Sequence, residues 1–249
     1  MLRRLARFYI PAAARLAFAR VRYGIRDSLS GDARRLARRR GDGPWDCPEY
    51  CVAEVVQQIR GTAFAEGKKE NIRIGAERLD GVKIVPGGIL SFWTLVGPPT
   101  AAAGFRIGRS IRGGVAVGDV GGGLCQVSGI AYELGLRAGL EPIERHPHSR
   151  DLYAEEERFT PLGLDATIAW PRKDLRLRNS FDVPVTIRIV TDGATLQAAL
   201  YAPRPIEPMT IEIERTDHAY HRAVRVRRRR AGTIAALVSD DSYPFAPHA

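Results

Sequence analysis

Cys125 stands in the stretch VGGGLCQVSG, directly behind Gly121, Gly122 and Gly123 and ahead of a run that reads as a helix. Two histidines follow, His146 and His148, flanking Pro147, and an acid, Asp165, opens LDATIAW. A thiol in the first turn of a helix meets unsatisfied N–H groups and the positive end of the helix dipole. Both favour the thiolate, which is the reactive form. Glycines just upstream strip side chains from the approach and supply positive φ for a sharp turn. Cysteine, then histidine, then acid is the chain order of a nucleophile, its base and the group that orients the base, as in papain-like enzymes. The pattern points to acyl transfer or amide hydrolysis. Cys125 is the expected nucleophile, His148 or His146 the base, and Asp165 the orienter. The amides of Gly121, Gly122 and Gly123, with Gln126, Ser128 and Arg145, are the expected donors to an oxyanion or substrate.

Other chemistry fits the same residues. Cys125, His146, His148 and Asp165 are four acceptable zinc ligands. Each also has a plainer role: a small buried hydrophobe, a turn histidine bonded to backbone, an acid paired with Arg145 or Arg150. A groove that binds a peptide without reacting would accommodate them too. The acyl-transfer assignment is preferred, and it requires neither a metal nor a cofactor. The remaining pair, Cys47 and Cys51 in CPEYC, has neither CxxC spacing nor a second ligand cluster nearby, and three cysteines make no disulfide framework.

The elements that must hold these residues read as α+β. Val127, Ile130, Ala131, Leu134 and Ala138 recur at helical spacing, and Gly139 closes that helix. PEYCVAEVVQQIRG, with Val52, Val55, Val56 and Ile59, is expected to be helical, as is KKENIRIGAERLDG. PIERHPHSR and LDATIAW read as short strands, and Pro147 keeps its neighbours extended. DVPVTIRIV and ATLQAALY alternate about Asp192-Gly193, a hairpin, and MTIEIER and AVRVRRRR add strands. The expected architecture is a Gly-rich loop feeding a central helix packed on an antiparallel sheet, with papain-like topology.

Charge divides the chain. Residues 1–40 hold 12 arginines against Asp27 and Asp32, which accounts for the whole net charge of +10. The neutral remainder argues against a nucleic-acid partner. The basic segment is amphipathic: Leu2, Leu5, Tyr9, Ala12, Leu16 and Tyr23 share one side of a helix, and Arg3, Arg4, Arg7, Arg15 and Arg22 the other, while Phe18 and Arg20 break the pattern. Such a helix suits an anionic membrane surface. No run is long and apolar enough to span a membrane, and no signal peptide is read. A cytoplasmic protein, peripheral at the inner membrane face, is expected. Three regions follow: a basic extension and linker over 1–45, an α+β domain over 46–215, and a basic strand and tail over 216–249.

Beyond chemistry, the text has a family resemblance. The block GGGLCQVS, followed by ERHPHS and DAT, together with NIRIGAERLDGVKIVPGGILSFWTLVG and KDLRLRNSFDVPV, resembles the VanW family over roughly residues 70–190. This chain departs from that pattern at Gly129, where a second Ser or Thr is usual, at Gly88, where the family has glutamate, and in the long acidic stretch DLYAEEERFTPLG. None of these departures touches Cys125, His146, His148 or Asp165. The resemblance implies an association with glycopeptide resistance and cell-wall modules, and so a peptide or peptidoglycan-type substrate.

Overall fold

The structure, a computed structural model, describes residues 12–38, 50–61, 64–112, 115–151 and 158–245. The arginines before residue 12, the expected linker at 41–45 and Cys47 lie outside these residues.

The central helix α4 (Leu124–Ala138) is apolar nearly all round and is buried nearly all round. It begins at Gly123 and stops at Gly139, whose φ of 95° lets its amide turn back onto the Gly135 and Leu136 carbonyls. One side of α4 packs on a four-stranded antiparallel sheet of order β1-β9-β8-β2, built from Tyr50–Gln58, Thr195–Ala202, Val185–Thr191 and Val82–Ile84. Another side meets helix α2 (Ala65–Leu79). That crossing is close because Gly75 has no side chain: a Cβ there would lie 2.8 Å from Leu124. The mixed helices and antiparallel sheets make the fold α+β, as expected.

β1 corrects the sequence reading, which has residues 50–59 helical. A register shift between Cys51 and Ala53 moves the inward face from Val52 to Val55, Gln57 and Ile59. The bulge breaks strict alternation, and a buried glutamine hides the row, so the apolar positions fall at helix-like spacing. PIERHPHSR is strand only in its first three residues, which belong to β6 (Glu141–Glu144), and LDATIAW runs extended with one bridge, Ala169 to Lys173. β6 joins β3 (Ile89–Ser91) and β7 (Arg176–Arg178) in a second sheet. The hairpin at Asp192-Gly193 is present, with Asp192 accepting from the amides of Ala194 and Thr195.

The C-terminal residues form a third sheet of strands β10 (Thr210–Asp217), β11 (His221–Arg229) and β12 (Ala236–Pro244). The expected boundary after residue 215 falls inside β10, and residues 236–244 are strand rather than tail.

Helix α1 (Ala12–Leu29) is tied to the body through one face. The Tyr23 hydroxyl donates to Glu144 at 2.9 Å, and Arg176 grips both oxygens of Asp27 at 2.7 and 2.8 Å. The opposite face leaves Phe18, Val21, Ile25 and Leu29 exposed. Tyr23 therefore faces protein, while Phe18 belongs to the outward apolar row rather than breaking it. No helix among the described residues is long and apolar enough to cross a membrane.

The glycine loop is fixed by contact. Between the hairpin strands β4 (Ile107–Arg112) and β5 (Val115–Val120) and the start of α4, Gly122 lies against Gly108, where a Cβ would come within 2.1 Å of the Gly108 carbonyl oxygen. Gly129, inside α4, has only ordinary contacts around a Cβ, the nearest at 3.8 Å. Gly122→Ala is expected to destabilise the fold by about 1–3 kcal/mol through overpacking against backbone. Gly129→Ala is expected to stabilise it by about 0.5–1 kcal/mol through helix propensity. Urea unfolding of both variants checks the opposite signs.

Candidate active site

Three of the expected residues meet at the start of α4. Asp165 accepts from the His148 backbone amide at 2.7 Å, and its Oδ2 also lies 2.7 Å from His148 Nδ1. With Nδ1 taken by the carboxylate, the hydrogen bond His148 shares with the Cys125 thiol runs from Nε2. The backbone amide of Ile168 also donates to the sulfur. Asp165 lies in an extended segment that crosses the first turns of α4, and Ser128 fixes the crossing by donating to the Ala166 carbonyl at 2.6 Å.

The charges support one another. Burial by itself raises the Cys125 thiol, but the hydrogen bond and charge of His148, with the Ile168 amide, outweigh it and set the thiol below its ordinary value. Burial by itself lowers His148, yet the Asp165 and Cys125 hydrogen bonds and charges push it up to about 10. Burial also opposes ionisation of Asp165, but His148, Arg145 and Tyr243 hold it well below the usual carboxylate range. The three shifts point the same way: each favours the ion pair of thiolate and imidazolium, with Asp165 ionised, over the neutral pair.

The other expected residues divide into two groups. Gly121, Gly122, Gly123 and Gln126 line an open cleft of about 900 Å³ together with Cys125 and His148. Gln126 donates to the Gln58 carbonyl at 2.9 Å, while its Oε1 and the Thr167 Oγ1 on the same wall are buried without a hydrogen-bond partner among the described residues. Such orphaned acceptors suit an arriving donor. Leu124 and Gln126 turn their amides back onto Gly121 and Gly123, which leaves the Cys125 amide as a first-turn donor without a carbonyl acceptor among the described residues.

His146, Ser128 and Arg145 depart from expectation. His146 Nε2 lies 3.2 Å from Glu144, and its carbonyl accepts from Thr167, so it does not serve the sulfur and the four-residue zinc set is not assembled. Ser128 positions the Asp165 segment rather than lining the cleft. Arg145 is buried, donating to the Asp165 carbonyl at 2.7 Å and its carboxylate at 3.0 Å and pairing with Asp241, so it holds Asp165 rather than substrate.

Two residues that the sequence reading passed over complete the site. Tyr243, from β12, donates to Asp165 at 2.7 Å. Asn71, on α2, donates to the Gly122 carbonyl at 2.8 Å and exchanges bonds with the Arg106 backbone, pinning the glycine loop. NIRIG carried the signal for Asn71, a polar residue on the inward face of a predicted helix. Nothing local marked Tyr243.

Comparison with known proteins agrees with the resemblance. The family model described as VanW like protein matches residues 67–201. The chain is 31% identical over 137 residues to the uncharacterized protein YoaR of Bacillus subtilis (strain 168), covering 55% of this chain and 44% of that protein. It is 29% identical over 141 residues to the vancomycin B-type resistance protein VanW of Enterococcus faecalis (strain ATCC 700802 / V583), covering 57% of this chain and 51% of that protein. The chain thus spans about half the length of these curated relatives or less. No solved structure matches it.

With its partners intact, Cys125 should be alkylated by iodoacetamide at pH 6, where an ordinary thiol with a pKa near 8.5 is almost wholly protonated. His148→Ala should move the inflection of the rate–pH profile upward, since burial is then opposed by the Ile168 amide alone. Mass spectrometry of the Cys125 peptide reads this. Asp165→Asn takes from Arg145 one of its two carboxylates, leaving Asp241, and should cost about 1–3 kcal/mol of stability. Because the folded carboxyl is depressed, that cost should persist at neutral pH and shrink only below about pH 4, where the unfolded carboxyl binds its proton.

Proposed function

The chain belongs to the VanW family, and from that premise we propose that it is a cysteine-dependent acyltransferase or amide hydrolase acting on peptide or cell-wall substrates. One observation carries the reading: the Asp165–His148–Cys125 relay at a helix start, opening into a cleft. The substrate class is drawn from the vancomycin-resistance name of one relative.

In this mechanism the Cys125 thiolate attacks the carbonyl carbon of an amide and forms a C–S bond as the carbonyl electrons move onto oxygen. The Cys125 amide and the dipole of α4 stabilise that oxygen. When the C–N bond breaks, the Nε2 proton of His148 passes to the leaving amine. The neutral imidazole then takes a proton from water or from a second amine, which attacks the thioester and frees the sulfur. Asp165 holds the ring in one orientation throughout, and Arg145 and Tyr243 hold Asp165.

The test is intermediate trapping. Incubation with N-acylated peptides of cell-wall stem composition, followed by acid quench, should give a thioester adduct on Cys125 by mass spectrometry. Cys125→Ser should abolish it, and His148→Ala should lower turnover by about 10²–10⁴-fold. Peptide bound with no adduct, and with affinity unchanged in Cys125→Ser, would establish a binding module instead.

Helix α1 supports a second, compatible reading. Its outward row of Phe18, Val21, Ile25 and Leu29, in a segment whose 12 arginines exceed its acids by ten, suits contact with an anionic membrane surface. Co-sedimentation with vesicles containing phosphatidylglycerol should exceed that with neutral vesicles and fall in Ile25→Asp. Equal recovery on both vesicle types would end this reading.

A further inference from the structure

The cleft wall contains a buried cation without a counter-charge. Lys68, in the first turn of α2, is 8% exposed, and its ammonium donates to the Arg60 carbonyl at 3.2 Å. No carboxylate among the described residues supports its charge: burial and the nearby Arg109 hold it down to about 8. It remains cationic at neutral pH. An ammonium taken out of water without an anion is costly and invites one.

Its position is specific. The stem of Lys68 runs against the glycine loop, where a Cβ on Gly123 would fall 2.7 Å from Lys68 Cγ. Gly123 also has a φ of 101°, so the loop keeps glycine there for two reasons. The lysine is thereby lodged beside the residues that lead into Cys125. The surrounding wall has the same sign: Arg60, Arg109, Arg150 and Lys173 line the cleft with Lys68, against the single acid Asp119 among the described residues. A cleft lined by one sign of charge concentrates ligands of the other.

We propose that Lys68, with Arg109 beside it, receives an anionic group, carboxylate or phosphate, on the part of the substrate that docks against the glycine loop next to Cys125. This deepens the reading of Cys125 as nucleophile and rests on it. An uncharged acyl fragment would leave Lys68 buried with no counter-charge, so the site selects substrates bearing a negative charge close to the bond that is cut.

Two electrophiles that differ by one charge test this on the full chain. The ratio of alkylation rates at Cys125, iodoacetate over iodoacetamide, should exceed that of glutathione by about tenfold, and Lys68→Met should return it to the glutathione ratio. Arg109→Gln, on the cleft wall, should lower it about threefold and serves if Lys68→Met does not fold. A wild-type ratio no higher than that of glutathione, or one unchanged in these variants, would overturn the anion site while leaving the nucleophile in place. If Cys125 reacts with neither reagent, the nucleophile reading fails and the anion site is judged separately in Cys125→Ser. There, millimolar succinate or inorganic phosphate should raise the thermal midpoint, and not when Lys68→Met is added. No rise with either anion overturns the site. The larger of the two shifts identifies the group as carboxylate or phosphate.

Discussion

A single buried carboxylate organises this molecule. Both oxygens of Asp165 are saturated: one faces the His148 ring and amide, the other takes Arg145, Tyr243 and the Gly163 amide. A carboxylate is stable inside a protein only when paired and hydrogen-bonded in this way. The pairing recruits three parts of the fold at once: the end of β6, the extended segment after residue 160 and the last described strand. Their convergence fixes the ring of His148, and the ring lowers the proton affinity of the sulfur.

The second constraint is close backbone approach. α4 reaches its place because Gly75 admits Leu124, Gly122 admits Gly108, and Gly135 leaves room for Leu177. These contacts bring the helix start, the hairpin end and α2 nearer than side chains would permit. Cys125, at the start of α4, and Lys68 therefore line the same cleft. Without the glycines the same residues would be present but too far apart for their fields to matter.

The sequence made the local half of this legible. The helix behind Cys125, its glycine cap, the hairpin at Asp192-Gly193 and the β-rich C-terminal third all follow from short-range patterns. So did the trio of Cys125, His148 and Asp165 as candidates. What it did not separate was His146 from His148, because residues of one parity share a face only while the strand continues, and β6 stops at Glu144. It misassigned Arg145 and Ser128 for a related reason. Both are polar residues beside the cysteine or the histidines, and only their long-range partners, Asp241 and the Ala166 carbonyl, show that they serve the scaffold. β1 read as a helix because a bulge changed the phase of a strand that also buries a glutamine.

Tyr243 has a consequence in time. It lies 78 residues beyond Asp165, and a chain is made from its N-terminal end. While the ribosome is still adding those residues, Asp165 lacks the Tyr243 hydroxyl and Arg145 lacks Asp241. Until β12 has joined β11, Asp165 therefore has one hydrogen bond fewer and Arg145 one carboxylate fewer, so the last described strand locks a site assembled from residues made long before it.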